Sequence, residues 1–302
     1  MVILYPNKKE QPGFNQNQKK IFMKLRGFVF FALIAIFSLV ASNYPETSNA
    51  QKEAILMQTI LAGLDQLHYD PQKIDDDFSQ EVFDLYLERI DGNKRWLTQA
   101  DIDQLAIHKK KLDNQAKAGT FEFLNLSQNI LNKGLEKTKV FYQEILAQPF
   151  DFTGNETIEL DGDKKAYAKS DAELRTYWEK AMKYETLTRL VAKIEAQEKT
   201  QKKALENPEA ETKEIKALEE SEAEPEAIKT VAELEAEARK SVLKLFNDWY
   251  HRMEKRQRKD FLSDYLNAFT SVFDPHTNYF LPADKENFDI GMSGRLEGIG
   301  AD

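Results

Sequence analysis

The sequence predicts an all-α, multi-helix domain with a short extended insert and an incomplete strand at its C-terminus. Glycine and proline are scarce, with 12 and 9 among 302 residues, so the chain has too few turn residues for a long β-sandwich or barrel. Hydrophobic residues make up 41% of the chain, which is enough to bury a core. From residue 51 onwards, apolar residues recur at helical spacing almost throughout, and helix is therefore predicted for most of this region.

The N-terminal segment has the layout of a secretory signal. Basic residues precede an apolar run at 27–41, and the small-residue sequence Ser48-Asn49-Ala50 follows. We therefore predict a signal peptide over residues 23–50 with cleavage after Ala50, and residues 1–22 as an extension that a signal does not need. A membrane-spanning helix needs about 20 apolar residues. The run is shorter, so an uncleaved inner-membrane anchor and a buried core helix are the less favoured alternatives.

Helical periodicity then continues in order through four helices. Their apolar faces comprise Ile60, Leu61, Leu64 and Leu67; Phe78, Val82, Leu85, Tyr86 and Ile90; Ile102, Leu105, Ala106 and Leu112; and Leu124, Leu131, Leu135, Tyr142 and Ile145. The acidic run that starts at Asp75 caps the second helix, and Thr98 or Asp101 caps the third. The fourth helix runs over about 120–147, and Pro149 ends it.

The second half begins with the one non-helical insert, residues 150–163, in which residues 158–160 are a short strand or an extended brace. Ser170 and Glu173 form a predicted capping box that opens a long helix. Residues 195–229 are rich in Glu, Lys and Ala, which predicts an acidic, flexible excursion. Further core positions at helical spacing are Leu174, Trp178, Met182, Leu187 and Leu190; Val242, Leu245, Phe246, Trp249, Tyr250 and Met253; and Phe261, Tyr265, Leu266, Phe269 and Phe273.

Charge and composition exclude several classes of function. The formal charge of −9 comes from residues 206–237, which carry twelve Glu and three Lys, so the remainder is balanced. No basic face for nucleic acid is predicted. The chain has no cysteine, which excludes disulfides, zinc–thiolate sites, cysteine nucleophiles and a lipid-modified cysteine. The acidic stretch lacks the spacing of an EF-hand, so a solvated surface is favoured over a calcium- or partner-binding tail.

No catalytic pattern in the sequence is complete. The histidines are His68, His108, His251 and His276. None has a second ligand at a metal-binding spacing, so we predict surface or packing roles for them. Ser241 and Lys244 match S-x-x-K, but they lie in an amphipathic, Lys-rich helix without the supporting motifs. We therefore predict no catalytic residue, no metal site and no cofactor in this chain.

Several longer sequence motifs together resemble those of a known family. Residues 273–280 read F-D-P-H-T-N-Y-F, and residues 292–301 read M-S-G-R-L-E-G-I-G-A. Upstream, residues 91–98 read D-G-N-K-R-W-L-T, and residues 150–161 read F-D-F-T-G-N-E-T-I-E-L-D. Over about residues 51–301, the chain resembles the tail-specific, or C-terminal processing, serine proteases of the bacterial periplasm.

The resemblance implies domain boundaries and motif residues. In the family, D-P-H-[ST]-x-Y closes an N-terminal helical domain, here residues 51–275, and residues 276–302 become a linker and the truncated start of a PDZ domain. The hinge motif, either structural or close to substrate, comprises Asp274, Pro275, His276, Thr277 and Tyr279. The motif that starts the PDZ domain comprises Leu296, Glu297, Gly298, Ile299 and Gly300. Residues 288–302, which include its incomplete first strand, are expected to be disordered or loosely held.

The family carries its Ser–Lys dyad in a domain beyond the PDZ domain, and Ser241 and Lys244 do not correspond to it. The resemblance implies an N-terminal helical domain that is inactive alone and acts in substrate access or adaptor docking. The expected location is the periplasm or cell envelope of a Gram-negative-type bacterium. The expected partners are protein substrates or a periplasmic adaptor, with no nucleic acid and with membrane contact only through the signal segment. The alternative is a stand-alone exported helical binding protein.

Overall fold

A computed structural model describes residues 48–206 and 228–293. These residues are all-α, so the predicted fold class is confirmed. The helices are α1 (Asn49–Leu67), α2 (Asp76–Asp91), α3 (Gln99–Ala106), α4 (Leu112–Ala118), α5 (Glu122–Leu146), α6 (Asp171–Glu206), α7 (Val231–Glu254), α8 (Arg258–Phe273) and α9 (Pro282–Ser293). The chain divides into two compact units, Met1–Glu53 and Ala54–Asp302, and the packing described below lies within the second.

Side-chain caps begin α2 and α3 where the sequence predicts them. The Asp75 Oδ1 atom accepts hydrogen bonds from two backbone N–H groups in the first turn of α2, at 3.1 and 3.3 Å. Thr98 is the cap of α3, and it forms a capping box with Asp101. Both caps are thus confirmed, and of the two candidates for α3 the structure selects Thr98.

The capping box predicted at the start of α6 forms only in part. The Glu173 N–H donates to the Ser170 hydroxyl at 3.2 Å, as expected. The Glu173 carboxylate, however, accepts from the N–H of Lys169 at 2.8 Å, one residue before the predicted partner. A complete capping box lies at the start of α7, between Thr230 and Glu233. Helix α7 therefore begins at Val231, where the apolar pattern predicts helix again.

Two groups of aromatic rings fill the core. Helix α6 packs against α5 and α7, and α8 packs against α2. The first group lies between α5, α6 and α7 and comprises Tyr142, Trp178, Phe246 and Tyr250. The second group joins α2, α5 and α8 and comprises Phe78, Tyr86, Phe123, Tyr265 and Phe269. The apolar stripes of the sequence therefore face each other, as expected of packed amphipathic helices.

Four residues predicted for apolar helix faces are exposed instead. Leu67 is 84% exposed at the last position of α1, Leu245 is 45% exposed and Leu187 is 38% exposed. Ala106 is exposed at the end of α3. Helical spacing gives the direction of an apolar face, but it does not give how wide a strip the neighbouring helices cover. Residues at the margin or the end of a stripe are therefore the ones that were wrongly predicted.

The insert at residues 150–163 is an extended brace, and the alternative of a short strand is wrong. Lys183 of α6 pairs with Glu156 at 2.6 Å, and the Lys180 ammonium donates to a carbonyl of the insert at 3.2 Å. Ile158 is half-buried against the core. The insert is thus fastened along α6 by side chains, and its backbone takes no part in a sheet.

Residues 195–206, the first part of the predicted flexible excursion at 195–229, are helical instead. Helix α6 continues to Glu206 because Ala, Lys, Gln and Glu favour helix, and residues 207–227 lie outside the described part. The Gln197 side-chain amide forms two hydrogen bonds with the backbone of Lys229. Its Nε2 donates to the Lys229 carbonyl at 3.0 Å, and its Oε1 accepts from the Lys229 N–H at 2.9 Å. Lys193 and Lys229 also pair with Glu237 of α7, at 2.9 and 2.8 Å. Residues 197 and 229 are therefore held side by side.

The ion pairs of Glu237 with Lys193 and Lys229 are sensitive to acid. Hydrogen bonds from Lys229 and Lys193 lower the pKa of Glu237 to about 2. The folded state binds this proton more weakly than the unfolded chain. The ion pairs of Glu237 therefore stabilise the fold above about pH 4.3, and this stabilisation is lost as the pH falls from there towards 2.

We expect Glu237→Gln to lower Tm slightly at pH 7 and by less at pH 3, because the wild-type ion pair is already weakened at the lower pH. The pair is exposed, so about 1 M salt should remove most of the effect. Thermal melts of both proteins at each pH and salt concentration measure it. An equal loss of Tm under all conditions would contradict an ionic origin.

Several predictions fall at or beyond the limits of the described residues. The signal segment lies outside them up to residue 47, and Ala50 lies in the first turn of α1. Within the described part, no helix has the length and apolar character needed to cross a membrane. Residues 294–302, with the predicted PDZ strand, also lie outside. Residues 282–293 form α9, a helix that the sequence pattern did not predict, and Pro282 suits its first position. Residues 288–293 are therefore helical where a disordered or loosely held segment was expected.

Candidate functional site

The turn after α8 contains the motif that the sequence singles out. Helix α8 ends at Phe273, and Asp274 follows in an extended conformation. The Thr277 N–H donates to the Asp274 carbonyl at 3.0 Å, which closes a β-turn with Pro275 at its second position. The Asp274 carboxylate accepts from the N–H of His276 at 3.0 Å and from the hydroxyl of Thr277 at 3.4 Å. The acid, the proline and the hydroxyl thus build one tight turn.

The side chains of this hinge motif differ in their exposure. Pro275 and His276 are exposed, whereas Asp274 and Thr277 are half-buried in the hydrogen bonds of the turn. Tyr279 is half-buried against the core, and this burial raises the pKa of its hydroxyl. The hydrogen bonds of Asp274 build a turn, and the His276 ring is open to solvent. A role of the motif as a hinge or close to substrate stays a prediction.

Asn267 of α8 holds the segment that follows the turn, and sequence reasoning missed it. Its Oδ1 accepts from the Tyr279 N–H at 2.7 Å, and its Nδ2 donates to the Tyr279 carbonyl at 3.0 Å. Arg89 of α2 donates to the Ser271 hydroxyl at 2.8 Å and to the Asn267 carbonyl at 3.4 Å, so α2 contacts the same helix end. The available signal was an asparagine, a poor helix former, in the middle of an apolar helix.

We expect Asn267→Ala to loosen residues 277–281 while the core helices stay folded. The substitution removes both hydrogen bonds to Tyr279, each worth about 1 kcal/mol, so exchange of the Tyr279 amide should accelerate about tenfold or more. Hydrogen exchange with peptide-level resolution measures this change. Asn278→Ala is the matched control, because Asn278 is exposed and makes no hydrogen bond within the described residues. Equal acceleration in both variants would contradict a specific role for Asn267.

A second turn, at the end of α2, is built around a buried carboxyl group. Asp91 is fully buried and accepts hydrogen bonds from the backbone N–H groups of Arg95 (2.7 Å), Trp96 (3.2 Å) and Leu97 (2.9 Å). Burial raises the pKa of Asp91 to about 7, and the three N–H groups act against that rise. Lys94 has a left-handed backbone conformation with a φ of 49°, which residues other than glycine rarely adopt. The loop is thus wrapped tightly around one carboxyl group.

Three cationic side chains lie around this second turn. Lys94 donates to the backbone carbonyl of Lys165 and lies over the Tyr167 ring, with its Nζ 5.6 Å from the ring centre. The Nζ of Lys165 lies 3.4 Å from the centre of the Tyr177 ring. Arg95 lines a small cleft together with Tyr177. Burial, reinforced by the positive charges of Arg95 and Lys94, lowers the pKa of Lys165 to about 8.

The S-x-x-K match does not form a hydrogen-bonded pair. The Ser241 hydroxyl donates to the Glu237 carbonyl of the preceding turn at 2.8 Å, and within the described residues no hydrogen bond joins it to Lys244. Among the histidines, His68 packs against Phe273, with ring centres 5.5 Å apart. Within residues 48–206 and 228–293, no group of three or more His, Asp or Glu side chains could hold a metal ion.

Comparison with known proteins agrees with the motif-based interpretation. The family model described as "Tail specific protease N-terminal domain" matches residues 60–283. A protein from Haemophilus influenzae named "Tail-specific protease" is 26% identical over 238 residues, which cover 78% of this chain and 29% of that protein. The chain therefore spans less than a third of the length of this relative.

The matched range includes both turns described above. It begins in α1, contains the loop around Asp91 and the hinge motif at Asp274, and ends at the start of α9. It also contains both aromatic groups of the core. Because the match covers most of the chain, the chain belongs to the tail-specific protease N-terminal domain family.

Proposed function

We propose that the chain acts as the N-terminal helical domain of an exported tail-specific serine protease, which cleaves proteins recognised at their C-terminal tails. The observation that carries the proposal is the family match over residues 60–283, with the hinge motif near its end. In this role the helical domain governs substrate access or docks an adaptor. The PDZ domain and the Ser–Lys dyad belong to other parts of such a protease.

Export to the periplasm or cell envelope is part of this proposal. It is supported by the basic residues, the apolar run at 27–41 and the small residues that end at Ala50. Expression in a Gram-negative host, followed by fractionation and N-terminal sequencing, tests it. The exported form is expected to begin at Gln51. An intact N-terminus in the inner-membrane fraction would instead support the uncleaved anchor.

Peptidase assays test whether the 302-residue chain has catalytic activity of its own. Incubation with a peptide that ends in a free apolar tail is expected to give no cleavage, in both the wild type and Ser241→Ala. Cleavage that Ser241→Ala abolishes would make the S-x-x-K match a functional site. Cleavage that survives this substitution would reveal a different one.

The role in substrate access is tested in the complete protease. The DNA downstream of codon 302 is expected to encode a PDZ domain and a Ser–Lys protease domain, and unrelated sequence there would favour the stand-alone binding protein. In the complete protein, Asn267→Ala is expected to slow cleavage of a folded, tailed protein and to leave cleavage of a short tail peptide unchanged. Asn278→Ala should change neither rate. Equal slowing of both substrates would contradict a role in access.

A further inference from the structure

Lys94, Arg95 and Lys165 lack a carboxylate partner, although each is half-buried. Among the residues that the structure describes, none of the three forms an ion pair, and the Nε of Arg95 is buried without a hydrogen-bond partner. Asp91 is the carboxyl group that acts on Lys165, but its oxygens already accept the backbone N–H groups of its own loop. Lys165 therefore lies near two further cationic groups and near one carboxyl group that is already satisfied.

Such an arrangement is costly without a further anion. Half-buried charges are screened less than charges in water, and buried polar groups in folded proteins are nearly always paired. An anion that binds here would neutralise the excess charge and give the Arg95 guanidinium its missing acceptor.

We propose that Arg95 and Lys165 form a binding site for an oxyanion, a carboxylate or phosphate group. The guanidinium of Arg95 presents paired N–H donors that match two oxygens of such a group, and Lys165 adds a compact positive charge. The cleft beside Arg95 and Tyr177 has a volume of about 10 Å³, room for about one water-sized group. At most one oxygen atom fits in the cleft, so the body of the ligand would stay outside it.

Glu185, whose carboxylate lines this cleft, is not the acceptor that Arg95 lacks. Glu185 lies in the cleft wall, but it pairs with Arg189 of the same helix at 2.6 Å. Glu185 is therefore not the acceptor of the Arg95 Nε, and an oxyanion ligand would supply one. Free anions and the carboxylate of a peptide share this chemistry, and different probes distinguish them.

Tryptophan fluorescence provides a direct test on the purified 302-residue chain, because the Trp178 indole donates to the Arg95 carbonyl at 2.8 Å. The probes are inorganic phosphate, acetate, and a trialanine peptide with either a free or an amidated C-terminus, at constant ionic strength. A saturable signal is expected with phosphate and acetate. A stronger response to the free peptide than to its amide would identify a peptide carboxylate as the preferred source, and equal responses would favour free anions.

Variants separate this site from general salt effects. Arg95→Gln and Lys165→Gln are each expected to weaken binding about tenfold or more, as for one lost charge-assisted hydrogen bond. Lys164→Gln is the matched control, since Lys164 is the exposed neighbour and pairs with Asp161 at 3.1 Å. Equal weakening in all three variants, or a signal that never saturates, would overturn the proposal.

The dependence of anion binding on pH tests a direct role of Lys165, because a purely structural role would not change this dependence. The charged groups that act on Lys165 are Asp91, Lys94 and Arg95. With a pKa of about 8, Lys165 loses its proton as the pH rises past that value, and anion binding should weaken accordingly. Lys165→Arg is expected to keep the affinity and to lose this dependence on pH, because arginine stays charged. Loss of binding in Lys165→Arg at pH 7 would count against the site.

Discussion

Asp91→Asn is expected to lower the free energy of unfolding by about 2–4 kcal/mol. One carboxylate oxygen accepts the Arg95 N–H and the other accepts the Leu97 N–H, so an amide NH₂ in either position places a donor against a donor. Asp91 is fully buried, and water therefore cannot replace the lost acceptor. Urea denaturation of the purified chain measures the change.

The cost of this substitution should depend on pH, with a sign fixed by the pKa of Asp91. Burial raises that pKa to about 7, above the value of about 3.9 in an unfolded chain. The folded state therefore binds the proton more tightly, and this contribution to stability is lost as the pH rises from about 4 to about 7. The amide that replaces the carboxyl group does not titrate, so the measured cost should be larger at pH 5 than at pH 8.

Asp84→Asn is the matched control for the Asp91 experiment. Asp84 lies on the same helix, is exposed and pairs with Lys109 at 3.0 Å, so its replacement should change stability by less than about 1 kcal/mol. A cost of Asp91→Asn that grows with pH would show that the three N–H groups outweigh burial and hold the pKa of Asp91 below its usual value. That result would contradict a raised pKa for this carboxyl group.

Local features of this fold could be predicted from the sequence because their causes are local. The Asp75 cap and the Thr98 cap depend on residues within one helical turn, and the structure confirms both. The stripe of α8 was also predicted correctly, since its apolar residues are all buried. The exposed Leu67 and Leu245 show the limit: the covering helix, which no local pattern specifies, decides whether an apolar residue is buried.

The features that position the candidate sites depend on contacts between distant residues. Asn267 meets Tyr279 across the hinge turn, and Lys165 lies beside a loop whose Asp91 is more than seventy residues earlier. Gly162 shows the same dependence: a Cβ atom there would lie 2.1 Å from the carbonyl oxygen of Gly92. The sequence motif around Asp91 could be matched to a family from the sequence alone. The cationic groups near it could be identified only from the folded structure.

Trp178→Ala is expected to lower the free energy of unfolding by about 3–5 kcal/mol, the usual cost of removing a buried aromatic side chain. Trp178 is 1% exposed and packs against Phe246 with ring centres 5.6 Å apart, in the aromatic group that joins α5, α6 and α7. Its indole N–H also donates to the Arg95 carbonyl, so the loss should reach the loop around Asp91. Urea denaturation measures the total, and hydrogen exchange locates it.

Two further variants separate packing from hydrogen bonding at this position. Trp178→Phe keeps an aromatic ring and removes the N–H donor, so it should cost about 1–3 kcal/mol and accelerate exchange chiefly in residues 95–97. Trp249→Ala removes a half-buried ring that stacks on Trp96 with ring centres 5.0 Å apart, and it should cost less than Trp178→Ala because less surface leaves the core. An equal cost for both tryptophan-to-alanine variants would show that burial does not set the effect. Calorimetry can measure oxyanion binding in these variants, because Trp178→Ala removes the fluorescent reporter. If Trp178→Ala weakens binding while Trp249→Ala does not, the link from the aromatic core through the Arg95 carbonyl to the proposed site is functional as well as structural.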